Sequence, residues 1–204
     1  MISRWCERIT EGCWLLALTL IPIFFNLYSA RHFEPDKAVA LRSLALVAVA
    51  AALIRWLDGV IARADRAPAA TSEPRPSGPP RWRRFVAIPL ALPVLLYALV
   101  FLFTTASSVV PATSFWGSYQ RLQGTYTNLS YMLLFLAIVT TLRRQAQLER
   151  LLTLTLATAS VVAGYGVLQH FQLDPLPWRG DVISRVASTM GNSIFVAAYM
   201  IMVV

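Results

Sequence analysis

The chain has 204 residues, 57% hydrophobic and only 14% charged, with a mean hydropathy of +0.58 and a formal net charge of +8. Such a composition excludes an ordinary soluble domain and points to an all-α, polytopic transmembrane helix bundle. The positive charge calls for no nucleic acid, because the cytoplasmic loops of membrane proteins are themselves basic.

Crossing a bilayer takes roughly 20 helical residues, and about six apolar runs approach that length. The first, residues 13–30, carries no charge, follows Arg4 and Arg8, and contains Pro22. It is long for the apolar part of a signal peptide, and Tyr28 is too bulky for a cut after Ala30, so it is read as a span. The second, 38–57, is alanine-rich and has Arg42 and Arg55 near its ends, where long side chains are expected to snorkel to the interface. Residues 58–84 are rich in Pro, Ala, Ser and Arg and read as a disordered basic tether, ending in the Arg81-Trp82-Arg83-Arg84 stop. The third run, 85–106, holds Pro89 and Pro93. The fourth, 126–142, and the fifth, 151–169, flank a short basic turn. On the fifth, Ala157, Ser160, Ala163, Gly164 and Gly166 suggest close helix packing. The sixth starts near Ser193 and is short, so the sequence reads as the N-terminal part of a longer protein. The expectation is therefore five complete spans and a truncated sixth, divided into 1–57, the loop 58–84, and 85–204.

Arginines sort the loops. The amino terminus, 58–84 and 143–150 are rich in them, whereas 31–37, 106–125 and 170–192 are poorer or have acids beside them, which sets the amino terminus in the cytoplasm. Cys6 and Cys13 have no metal spacing and read as structural thiols. The sequon at Asn128 falls at the head of a span and is discounted. His170 with Asp174 and Asp181 is a weak metal signal, and no metal or cofactor is expected. Phosphate-binding loops and nucleophile elbows are absent from the sequence.

Two outer loops carry more polar and aromatic detail than connectors need. In "SFWGSYQRLQGTYTNLSY", 114–131, Trp116, Tyr119, Tyr126 and Tyr131 fit an interfacial aromatic belt, while Arg121 is the one charge between Phe85 and Arg143. Its guanidinium suits an anionic headgroup or a substrate phosphate, or simply snorkels. In 169–193, Asp174-Pro175-Leu176-Pro177 is stiff and Ser184–Asn192 leads into the last apolar run.

The order Arg185, Thr189, Gly191, Asn192, Ala197, Tyr199 resembles the "R-x-x-G-T-x-G-N-x-N-x-x-A-x-Y" region of the bacterial O-antigen ligase and polymerase family. "YQRLQGTYTNLSY" and "YGVLQHFQLDPLPW" are similar to members that carry tetratricopeptide repeats after the membrane domain. The resemblance covers about 114–204. Ala187-Ser188 stands where the family often has a glycine, and Ser193-Ile194 replaces its Pro-Asn. The resemblance implies a glycosyltransferase of the bacterial inner membrane that moves a glycan from a polyisoprenyl diphosphate carrier to an acceptor sugar or lipid at the outer face. Arg121, Arg179 and Arg185 would then hold the diphosphate, and Gly191-Asn192 would open the next helix towards an anion. The blander reading of that pair is a turn and a helix cap. The family's histidine, in a later external loop, has no counterpart; His32 and His170 do not match it, so no catalytic residue is assigned and these residues alone are expected to be inactive. A transporter of lipid-linked glycans and a membrane anchor for a repeat domain are the other classes the chain would suit.

Overall fold

The computed structural model describes residues 2–29, 33–64, 90–176, 183 and 185–204. Among these residues every regular element is helical and no strand occurs. The α-helices are α1 (Ile2–Ile23), α2 (Glu34–Ala64), α3 (Ala91–Ala106), α4 (Pro111–Trp116), α5 (Thr125–Thr141), α6 (Gln145–His170) and α7 (Ser193–Val203), with a 3-10 turn at Ser188–Met190 before α7.

Local chemistry sets most of these limits. α1 stops one residue after Pro22, whose missing N–H removes a rung from its last turn. α2 begins with Glu34 and Asp36 in its first turn, where acids suit the positive end of the helix dipole, and Pro35 is harmless there. Pro93 likewise falls in the first turn of α3, after Leu90 in the left-handed region. At α6, the Gln147 side chain accepts from the amides of Arg143 (2.9 Å) and Arg144 (3.1 Å), so the basic turn is locked to the helix it precedes.

α2 presents Ala38, Leu41, Ala45, Ala48 and Ala51 as a buried stripe at helical spacing. The small side chains let α1 approach, and Trp14, completely buried, fills the space with Cys13, Leu41, Ala45, Ala48 and Leu134. Its indole donates to Thr141 Oγ1 (3.2 Å), satisfying the one polar atom it brings inside. Both cysteines are buried and free. The outer faces remain apolar: Leu46, Val47, Leu53 and Ile54 on α2, and Leu152, Leu156 and Val161 on α6, are all exposed.

By length and composition, two helices can cross a membrane: α2 over Glu34–Ala62 and α6. α3, α5 and α7 are apolar but only 16, 17 and 11 residues long. α1 has 22 residues but carries Glu7, Arg8 and Glu11 in its first half. Five full spans are thus more than the described helices establish. Three other expectations are corrected. Residues 58–64 continue α2 instead of starting a tether, whose remaining residues, 65–84, lie outside the described ones. Arg42 does not snorkel; it is buried. Ala157, Ser160, Ala163 and Gly164 are exposed, because the packed face of α6 is the stripe Ala159, Val162, Gly166, Gln169.

The loops separate to two ends. At one, Glu7 pairs with Arg55 (3.2 Å) and Glu11 with Arg150, joining the amino terminus, the far part of α2 and the turn before α6. At the other, the α1–α2 turn, the 106–125 segment and the 185–192 segment meet.

Candidate functional site

The second end is built around a loop closed by backbone. α4 finishes at Gly117, whose φ of +86° lies in the left-handed region, and α5 starts after Gly124. A Cβ on Gly124 would stand 2.3 Å from the Gly117 amide nitrogen and 2.4 Å from the Phe115 carbonyl. The two glycines therefore let the ends of the 117–124 loop touch, and the loop projects Tyr119 and Arg121 into the open.

Arg42 clasps this loop from α2. Only 7% exposed, it donates from Nη2 to the carbonyls of Trp116 (2.7 Å) and Leu122 (2.7 Å), on the two limbs of the loop, and from Nε to Thr127 Oγ1 (2.9 Å). The Thr127 hydroxyl in turn donates to the Leu122 carbonyl (2.5 Å). The guanidinium also lies 4.8 Å from the Tyr126 ring centre, and Tyr126 stacks on Phe115 at 5.9 Å. Tyr126 and Trp116 thus hold a buried cation in addition to any place in an aromatic belt. A planar fork in a dry site satisfies carbonyls that the loop leaves unpaired, which is why this arginine is drawn inward. Sequence reasoning missed it; the available signal was a pair of glycines bracketing an aromatic loop.

The 185–192 segment docks into the groove between α1 and α6. Ser188 is fully buried; its amide donates to Gln169 Oε1 (2.7 Å) and its hydroxyl to the Val162 carbonyl (2.6 Å). Thr189 Oγ1 donates to the Pro22 carbonyl (2.8 Å) at the end of α1, and the Lys37 ammonium donates to the Thr189 carbonyl (2.8 Å). Lys37 Nζ also lies 3.5 Å from the Pro22 carbonyl, so that it and Thr189 both supply donors to a helix C-terminus that would otherwise expose acceptors. Gly191 follows with φ +76°, and a Cβ there would lie 2.4 Å from the Phe33 ring, so the residue satisfies a conformation and a close approach together. Asn192 caps α7, its Oδ1 accepting from Ile194 N (2.9 Å), while the amides of Phe195 and Val196 bond to its carbonyl. The turn-and-cap role of this pair is therefore present, and it takes up amides that the anion-binding role would use. Asn192→Ala is expected to destabilise the protein by about 1 kcal/mol and Asn192→Asp by much less, measured as thermal melting in detergent.

Three of the five expected site residues come together. Arg121, Gly191 and Asn192 line a pocket of about 170 Å³ with Phe33, Glu34 and Phe195. The Arg121 side chain is 70% exposed and its Nε sits 3.6 Å from Glu34 Oε2. A pair this open to water is worth at most about 1 kcal/mol, so an anion able to engage the guanidinium through two bonds can displace the carboxylate. Arg185 is exposed and does not line this pocket. Next to it in sequence, Val186 packs against Gly166 and borders an apolar groove of about 360 Å³ between α6 and α7. Arg179 lies outside the described residues.

His170 Nδ1 is 2.8 Å from the Ile183 carbonyl, and Asp174 accepts from Tyr165 Oη (2.6 Å) and the Leu176 amide (3.0 Å). Among the described residues no three His, Cys, Asp or Glu side chains are grouped as metal ligands; Asp181 lies outside them. No family model matches the chain, and neither a curated protein nor a solved structure matches it.

Proposed function

We propose that the chain forms part of the membrane domain of a glycosyltransferase resembling the O-antigen ligase and polymerase family, acting on a polyisoprenyl diphosphate glycan at the outer face of a bacterial inner membrane. The observation that carries this reading is the pocket in which Arg121 meets Gly191-Asn192, residues of two separate loops that the resemblance had linked to the same substrate. In this reading α1, α2, α3, α5 and α6 are spans, α7 begins a sixth, and the amino terminus is cytoplasmic. The sorting of arginine-rich segments to one end of the bundle supports that orientation.

The chemistry asks little of these residues beyond binding. An acceptor hydroxyl attacks the anomeric carbon, the bond from that carbon to the diphosphate oxygen breaks, and the diphosphate leaves with the electron pair. The acceptor's proton goes to a base that none of these residues supplies. Arg121 would hold the diphosphate through its fork and stabilise the charge that grows on the leaving oxygen. Arg185, which lies outside this pocket, would meet the diphosphate only from the exposed start of the 185–192 segment. The apolar groove beside Val186 suits the first isoprene units of the carrier.

Transfer of a labelled polyisoprenyl diphosphate glycan, measured in membranes bearing the complete protein, tests the reading. Arg121→Ala is expected to lower transfer at least about tenfold at equal membrane insertion, with Arg185→Ala also reduced. Full activity in both variants would remove the arginines from the site. No transfer by the wild type would favour a transporter or an anchor.

A further inference from the structure

A cavity lies at the opposite end from this site. It measures about 820 Å³ and is walled by the first turns of α1, by the end of α5 and by the turn into α6. Arg4 and Arg8 line it from α1, and Arg143, Arg144 and Arg150 from the turn and α6. Two carboxylates, Glu7 and Glu11, share the cavity but are already engaged. Glu7 pairs with Arg55 of α2 at 3.2 Å. Glu11 pairs with Arg150 and accepts from Gln147 Nε2 at 2.8 Å. No carboxylate among the described residues pairs with Arg4, Arg8, Arg143 or Arg144.

Four like charges around one cavity repel one another, and the bundle holds them there through covalent helices. An anion with several oxygens relieves that repulsion, and guanidinium forks match phosphate oxygens in pairs. The helices that wall the cavity indicate which phosphate. Trp5, Ile9 and Leu16 on α1, and Leu148 and Leu152 on α6, are exposed apolar side chains next in sequence or within a turn of the lining residues, and Leu15 is itself part of the lining. Arg8 extends over the Trp5 ring, 5.7 Å from its centre, an aromatic beside a cation as at a headgroup boundary. A soluble phosphate has no use for these apolar helix faces, whereas a lipid places its phosphate in the basic wall and its chains along the helices.

We propose that this cavity binds the phosphate headgroup of an anionic phospholipid from the cytoplasmic leaflet, with Arg4, Arg8, Arg143 and Arg144 as its ligands. The site is separate from the Arg121 pocket and rests on the membrane orientation of the preceding subsection, but not on glycan transfer. Bound lipid would tie the amino terminus to the turn before α6.

The complete protein, purified in a zwitterionic detergent after extraction from carbonate-washed membranes, is titrated with phosphatidylglycerol, cardiolipin and phosphatidylcholine, and bound lipid is counted by native mass spectrometry. Saturable binding of the two anionic lipids and none of phosphatidylcholine is expected. Arg8→Gln/Arg144→Gln should weaken it at least about tenfold at an unchanged melting temperature. Arg75→Gln/Arg81→Gln, which removes the same charge from the 65–84 segment, should leave it within about twofold. Equal binding by both double variants, or an equal loss in both, would overturn the cavity as the site. Inorganic pyrophosphate displacing the lipid at comparable concentration would overturn the lipid assignment in favour of a soluble phosphate. Release of the protein by carbonate would refute the membrane reading itself, and with it this proposal; retention without lipid selectivity would refute this proposal alone.

Discussion

Replacing Arg42 with alanine is expected to cost about 3–4 kcal/mol of stability, since each buried polar group stripped of its donor costs about 1–3 kcal/mol. The change takes the Arg42 donor from the Trp116 carbonyl and the Thr127 hydroxyl and leaves the Leu122 carbonyl with Thr127 alone, in a buried site. It also empties the space under the Tyr126 ring. Lysine should recover less than half of the loss, because an ammonium keeps the charge but lacks the planar fork that spans both limbs of the loop. The measurement is a thermal melt in detergent, together with the rate of tryptic cleavage after Arg121. An Arg42→Ala protein that melts and cleaves like the wild type would show that the clasp contributes nothing.

Gly124→Ala is expected to be nearly as damaging, at about 3 kcal/mol, because the added methyl meets backbone instead of a side chain that can turn away. Side-chain collisions relax by rotamer changes, but here the Gly117 amide and the Phe115 carbonyl would have to separate, opening the loop at its neck. Trypsin sensitivity at Arg121 should therefore rise sharply even where the helices remain intact. If Arg42 and Gly124 act on one closed loop, their effects should be far from additive, which a double-mutant comparison reads directly.

The apolar runs of the sequence located the helices because uninterrupted hydrophobicity reports burial in lipid or core, whichever applies. α5 and α7 begin within one residue of their expected starts. α1 was foreseen only from Cys13, yet its helix begins at Ile2, because Glu7 and Glu11 find Arg55 and Arg150 on other elements and remain helical. Such partners are 48 and 139 residues away in the chain, where no local pattern can register them. Of the five small residues of α6 expected to pack, Gly166 does, against Val186, and the other four are exposed, for a related reason: helical spacing identifies a face but not what stands opposite it.

The candidate site was legible in part. Polar residues gathered between apolar runs flagged Arg121, Gly191 and Asn192, and they do share a pocket. What could not be read was Arg42. An arginine near the end of an apolar run has the same sequence context whether it reaches out to water or inward to carbonyls 74 and 80 residues further on. The choice is made by the loop's unpaired acceptors, which exist only once Gly117 and Gly124 have closed it.

The bond from Thr189 to the Pro22 carbonyl joins residues 167 positions apart. At roughly 5–20 residues per second of synthesis, α1 is in place about 8–30 s before the threonine that completes its C-terminal end has been made. Throughout that interval the early helices are an unfinished assembly whose end must be covered by water, headgroups or an insertion partner. The "RVASTMGNS" stretch thus acts as a late latch, setting when α1 and α6 are joined at this end as well as where α7 begins.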